Sequence, residues 1–516
     1  MKRYFFAAIL FTLIAIPVIW KIQQNQDRMI IEHHLLAEDF AKNHGTPPGV
    51  AISTVFFGPF RNLMVNALWL RMDRLHKQGK YFEMVQLADW ILQVQPENAT
   101  AAQYVAWNMA YNITVTQQDF DTRRRWIRKA VETLHKAIAK NPNEPILYRE
   151  MGWIWQHKLG DELDQASPYY KQKIAEENYR IFGKKHAPDW QRLTELPADW
   201  KSLYQKYPAL RSVCSGREEE LEKAIRTTGE LPAHLALNEE NLALLTEFVR
   251  GQVIRNWLFI DPEHALWVEK EYGKLDWLLP EAFAIYWSSL GMKKIPEGER
   301  STCIHVLTQS LKVMFTNGRI LFAGGEPGKD FIRLPNFALV DSVFKVYKWQ
   351  AELISGGLEF SGYYVFLQDA VEAMYLYGKK KEAAKYYKIM QEETPAETKD
   401  LTMEEYVRNR LRSKLKVASN RQLQYMVSSF ILQGIFAFAN GETDDAHKML
   451  DTAEMVYNIY KKEHSSAEEQ ERLRLPPFKE FKRNVVDFVF ANFPALSPAL
   501  KAELELQENN APPVEK

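Results

Sequence analysis

The chain has 516 residues, 46% of them hydrophobic, which exceeds what one ordinary compact core holds and points to several domains or an extended array. Lys plus Arg and Asp plus Glu number 66 each, so no concentrated basic face for a nucleic-acid backbone is expected. Two cysteines, Cys214 and Cys303, are spaced neither as a metal knuckle nor as a redox pair, and sequence alone does not bring them together for a disulfide.

Lys2 and Arg3 precede an uncharged apolar run, Tyr4 to Trp20, closed by Lys21. At the rise of a helix this run is about 25 Å long, near the short end for a membrane span. No small residues follow it to mark a cleavage site, and no cysteine follows to carry a lipid. An uncleaved signal anchor is therefore expected. The leading positive charges favour a cytoplasmic N-terminus, with the bulk of the chain extracytoplasmic at a bacterial inner membrane. A stalk helix is expected to about Lys42, with a break at Gly45-Thr46-Pro47-Pro48-Gly49. His33-His34 reads as solvated surface, because adjacent helical positions point apart. Val50 to Phe57 is apolar but too short to span a membrane.

Beyond the anchor, one spacing recurs. Gly79 is followed after five residues by Met84, and then by Ala88, Ile91 and Pro96 at steps of four, three and five. Gly378 leads in the same way to Ala383, Tyr387, Met390 and Pro395, and Gly441 to Ala446, Leu450 and Ala453. Ala130, Leu134, Ala137 and Pro142 repeat the steps. A glycine permits a tight turn, the residues at steps of four and three share one helix face, and proline ends the helix. Met151-Gly152 and Gln433-Gly434 place a small residue where two helices would touch. These segments resemble tetratricopeptide (TPR) repeats, in units Val65–Asn98, Ala99–Glu144, Tyr364–Glu397 and Val427–Tyr460. A further unit begins at Pro145 and degrades after Gly160. Two departures stand out: an insertion around Tyr111–Asp121, and Asn458 where the closing proline belongs, so that the last helix is expected to run on. The whole chain is also similar to membrane-anchored bacterial TPR proteins through Trp69-Leu70-Arg71, Trp107-Asn108-Met109-Ala110-Tyr111-Asn112 and Asp276-Trp277-Leu278-Leu279-Pro280.

The expected fold is all-α: TPR-like helix-turn-helix repeats in two blocks, a helical insertion and one N-terminal transmembrane helix. The expected divisions are an anchor and stalk (1–49), N-terminal repeats (50–181), the insertion (182–279), C-terminal repeats (280–506) and a polar, disordered tail (507–516). Within the insertion Glu218–Arg226, Glu239–Trp257 and Glu263–Tyr272 read as helices. Glu281–Leu290 and Glu299–Phe315 read as a further pair, followed by a Gly-rich loop, Asn317–Pro335.

No motif for catalysis, cofactor or metal is expected. Gly324-Gly325-Glu326-Pro327-Gly328-Lys329 looks like a phosphate loop, but its spacing is wrong, Asp330 stands where Ser or Thr belongs, and no strand is expected before it. Asp276 and Glu281 are a conceivable carboxylate pair for glycoside cleavage, although Pro280-Glu281 also suits a helix start. Superposing the units in register puts Trp69, Gln103 and Arg149 at equivalent inner positions. Asp73, Trp107 and Trp153 follow one turn on, then His76, Ala110 and Gln156. In TPR arrays these first helices line a concave face that binds a peptide or partner helix. The resemblance thus implies a non-catalytic scaffold for a protein or peptide partner. Alternatives are a glycan-binding envelope protein, favoured by the 14 tryptophans, and a glycan-cleaving enzyme on a helical scaffold. The packing alternative is that the insertion fills the groove and the tryptophans are core.

Overall fold

The computed structural model describes residues 17, 21, 61–235, 237–295, 300–322, 326–328, 331–355, 361–398, 400–466 and 475–493. The run Tyr4–Trp20 (Pro17 apart), the stalk, His33-His34, Val50–Phe57 and the tail from Gln507 lie outside these residues. Among the described residues no helix is long and apolar enough to cross a membrane. Helix makes up 77% of the structure and strand 2%, so the fold is predominantly helical. The chain divides into two compact units, Met1–Ile154 and Trp155–Lys516.

The first unit is built from antiparallel helices. Arg61–Lys77 turns into Tyr81–Val94 through Gly79, whose φ of 69° lies in the left-handed region that glycine enters without strain. Met84, Ala88 and Ile91 bury one face of the second helix. Asn98 caps the next helix, Ala99–Trp107, by accepting the Ala101 N–H at 2.9 Å. That helix runs on as a π-helical segment, Asn108–Ile113, and a closing turn, Thr114–Thr116. The stretch expected as an insertion is thus largely a continuation of the helix. Asp119 caps Phe120–Lys140, which buries Ala130, Leu134 and Ala137 on one face. Pro145, at the first turn of Pro145–Trp153, lacks only an N–H the helix does not need there.

The second unit repeats this hairpin twice. Ser361–Leu376 turns through Gly378 (φ 71°) into Lys380–Glu393, and Asn420–Ala439 turns through Gly441 (φ 80°) into Thr443–Glu463. At Gly434 an added Cβ would meet the Ala446 carbonyl and the Leu450 side chain at 3.2 Å, so the helices cross closely there. The last helix does run past Asn458, to Glu463. Helices Glu218–Thr228, Glu239–Asn256 and Pro262–Tyr272 end within two residues of the expected bounds. Three short helices, Trp190–Glu195, Trp200–Lys206 and Pro208–Cys214, occupy the stretch between Phe182 and Glu218. Pro280–Lys294 pairs with Ser301–Asn317 and is buried almost all round, from Ala282, Phe283 and Tyr286 to Ser288 and Met292.

The Gly-rich loop expectation is corrected. Arg319–Phe322 and Phe331–Leu334 form an antiparallel hairpin, β1 and β2, with Ile320 opposite Arg333. A strand therefore does precede the glycine run, but a second strand follows it, where a phosphate loop would open a helix. Gly324, Gly325, Lys329 and Asp330 themselves lie outside the described residues. Cys214 and Cys303 are both buried.

Candidate functional site

The residues that share a surface in the first unit come from three helices. On Ala99–Trp107 the side bearing Ala101, Ala102, Val105 and Ala106 is buried, which leaves Gln103, Tyr104 and Trp107 on the other side. A π-helical segment follows. Tyr111, four residues after Trp107, stacks on it, their rings 5.7 Å apart and tilted by only 30°. The widened turn is secured by side chains. Asn108 donates to the Tyr104 carbonyl at 2.7 Å, Thr114 to the Ala110 carbonyl at 2.7 Å, and Asn112 to Asn108 Oδ1 at 2.6 Å. The Trp69 ring, from Arg61–Lys77, meets Tyr104 edge-on at 5.7 Å.

Pro145–Trp153 brings the charge. Glu150 is 1% exposed. Its Oε2 accepts from Gln103 Nε2 at 3.1 Å and from Arg149 Nη2 at 3.2 Å, while Oε1 is buried with no hydrogen-bond partner. Burial pushes the Glu150 carboxyl above its ordinary value, against the opposing pull of the Gln103 bond and the Arg149 charge. Burial also raises the Tyr111 phenol, the Glu150 charge adds to that, and a hydrogen bond with Trp153 works against it. Glu150, Tyr111 and Trp153 are thereby in electrostatic and hydrogen-bonding contact. Beside them Arg149, Trp153 and Gln103 are half-buried, and Trp107 is 37% exposed.

The sequence-derived positions divide accordingly. Trp69, Gln103, Trp107, Arg149 and Trp153 fall on this connected surface. Asp73 is exposed and spends its charge on Lys77, 2.7 Å away on the same helix. His76 is half-buried, its ring 6.3 Å from Tyr104, and Ala110 is fully buried. Gln156 belongs to the second unit, in the π-helical segment Ile154–Gly160. The residues not anticipated are Glu150, Tyr104 and Tyr111. Tyr111 lies inside the stretch expected as an insertion, although its step of four from Trp107 puts both on one helix face. Glu150 is one position beyond Arg149, and a lone glutamate on a helix carries no signal by itself.

Asp276 and Glu281, in the second unit, are each held by the β-hairpin. Asp276 Oδ2 accepts from the Ile320 N–H at 3.0 Å and lies 2.9 Å from His186 Nδ1, and Oδ1 accepts from the Leu278 N–H at 3.2 Å. Glu281 is 1% exposed, and its Oε1 accepts from Arg333 Nη2 at 2.9 Å. Glu281 does sit at a helix start, yet its partner is a buried guanidinium from β2. Burial disfavours a charged His186, but the bond and charge of Asp276 outweigh it and raise the imidazole above its ordinary value. No group of three or more His, Cys, Asp or Glu suited to a metal ion occurs among the described residues. Comparison with protein-family models, with curated proteins and with solved structures returned no match.

Proposed function

We propose that the chain is a membrane-tethered scaffold of TPR-type repeats that binds a protein or peptide partner along the Trp69–Gln103–Trp107–Arg149–Trp153 surface of its first unit. In this reading the repeats form two blocks, 50–181 and 280–506, about the insertion 182–279, tethered through Tyr4–Trp20 on the extracytoplasmic side of a bacterial inner membrane. The repeat reading is supported by the left-handed turn glycines Gly79, Gly378 and Gly441 and by the buried positions at steps of four and three after them. The tether is supported by the uncharged run and the charges that flank it.

The observation that carries the binding reading is the Glu150 carboxylate. A buried acceptor with an unused oxygen is costly unless a donor reaches it. An extended polypeptide brings N–H donors for Glu150, and acceptors for Arg149 and for the Gln103 amide. The Trp107, Tyr111 and Trp153 rings supply contact area with little side-chain entropy to lose. The reading is of binding rather than catalysis, since Gln103 and Arg149 both engage Glu150 and so suit recognition.

A second reading, a glycan ligand, is favoured by one observation: the stacked Trp107–Tyr111 pair leaves an indole partly open beside a carboxylate and an amide, which suits a sugar ring. The deciding experiment is crosslinking of the full chain in its native membrane, beside capture assays with Trp107→Ala/Arg149→Ala. Loss of a crosslinked polypeptide with helical content intact supports the partner reading. Capture unchanged by the double variant removes this surface. Competition by soluble envelope glycan fragments transfers the assignment to the second reading.

A further inference from the structure

In the second unit two cavities meet at one arginine. A groove of about 490 Å³ runs between the loop 182–189, the short helix Trp190–Glu195 and Glu239–Asn256, walled by Ile181, Phe182, Pro188, Leu193, Leu242 and Ala243. A smaller cavity of about 290 Å³ lies beside Tyr179, Arg180, Thr228 and Gly229. Gly183 and Arg250 line both. The guanidinium of Arg250 lies directly across Gly183, where an added Cβ would come within 1.5 Å of Nη1, so only glycine lets it take this place.

Arg250 is poorly provided for. It donates from Nη2 to the Gly229 carbonyl at 2.8 Å, its Nε is buried with no partner, and among the described residues it has no ion pair. Arg180, across Gly229, also has a buried Nε with no partner. Neighbouring carboxylates are mostly engaged elsewhere. Glu247 pairs with Arg192 at 2.9 Å, Asp189 caps its helix through the Arg192 N–H, and Glu176 pairs with Lys173 at 2.8 Å. Glu230, Glu239 and Glu326 are exposed at the rims, with Lys184 and Lys185. Arg250 is half-buried, and the two carboxylates that act on its charge are Glu230, exposed at the rim, and Glu247, shared with Arg192, so an oxyanion accepting from the guanidinium would supply a closer counter-charge. The cavity volume and apolar walls of the adjoining groove are those of a small-molecule site.

We propose that these cavities form a binding site for a small amphipathic oxyanion, with Arg250 holding the charged end, Arg180 assisting, and the apolar body lying in the groove against Leu193 and Leu242. This site is separate in sequence and chemistry from the surface around Glu150. The fully buried Leu210 and Cys214 sides of the short helices play no part in it.

The test is calorimetric titration of the full-length chain with octyl phosphate, inorganic phosphate and octanol. Saturable binding of octyl phosphate is expected, with inorganic phosphate weaker and octanol weakest. Arg250→Met should weaken octyl phosphate about tenfold or more, the loss of a charge-assisted hydrogen bond. Leu242→Trp, which narrows the groove and leaves the guanidinium in place, should weaken octyl phosphate and leave inorganic phosphate unchanged. It decides the matter should Arg250→Met fail to fold. Octanol binding as well as octyl phosphate overturns the proposal, as do octyl phosphate binding unaffected by Arg250→Met, unaffected by Leu242→Trp, or not saturable at all.

Discussion

Gln103 donates its side-chain amide to Glu150 at 3.1 Å, and this one bond joins two helices of the first unit through residues 47 positions apart. It orients a buried carboxylate that also accepts from Arg149 at 3.2 Å. Because burial raises that carboxyl's pKa, the folded state is penalised for holding it charged. Glu150→Gln removes the penalty and keeps the shape. Its melting temperature at neutral pH should equal or exceed that of the parent, while capture of the partner is lost. A melt followed by circular dichroism, run beside the capture assay, checks both. Full capture by this variant would detach Glu150 from binding.

Arg333 and Glu281 form a buried pair in the second unit, with side chains 13% and 1% exposed. Arg333→Met strands the carboxylate and should cost about 3–5 kcal/mol. Adding Glu281→Met in the same chain should recover most of that loss, since the pair is then replaced by apolar groups of similar length. Chemical denaturation of the three variants measures it. A double variant no better than Arg333→Met would mean that the guanidinium matters chiefly for its bond to the Asn317 carbonyl.

His186 gives the fold a pH dependence of known sign. Its folded pKa is raised by Asp276, so it binds its proton more tightly when folded. The stability this contributes is complete below the unfolded value of about 6.5 and is lost as pH rises through the raised folded value. The melting temperature should therefore fall as pH rises above the ordinary imidazole value of about 6.5, and His186→Asn should flatten that slope. An identical slope in the variant would place the titrating group elsewhere.

Ala137 is 5% exposed on the face of Phe120–Lys140 that packs on its neighbours. Ala137→Leu should destabilise by about 1–3 kcal/mol through overpacking. A change to Leu at the exposed Lys136 on the same helix should leave the melt within about 0.5 kcal/mol. Thermal melts of the two variants separate a packing effect from a general effect of composition.

The helix hairpins were legible because their causes are local. Gly79, Gly378 and Gly441 each take a left-handed φ that other residues resist, and the positions at steps of four and three after them lie on one helix face whatever the rest of the chain does. The same periodicity brought Trp69, Gln103, Trp107, Arg149 and Trp153 to one surface, and the helices between Glu218 and Tyr272 were legible from their residue pattern. What the sequence left open depends on partners far along the chain. The π-helical turn at Asn108–Ile113 is an exception in being held by local bonds from Asn108, Asn112 and Thr114, and nothing in a 3.6-residue period announces it. The β-hairpin at Arg319–Leu334 replaces an expected loop because its strands are held by each other and by what they cover. Its opposed residues Ile320 and Arg333 receive Asp276 and Glu281 from a segment some 40 to 50 positions earlier. Whether a carboxylate is a solvated helix-start charge like Glu219 or a buried, oriented group like Glu150 and Glu281 is decided by desolvation and by which donor comes within about 3 Å, and both are properties of the packed chain alone.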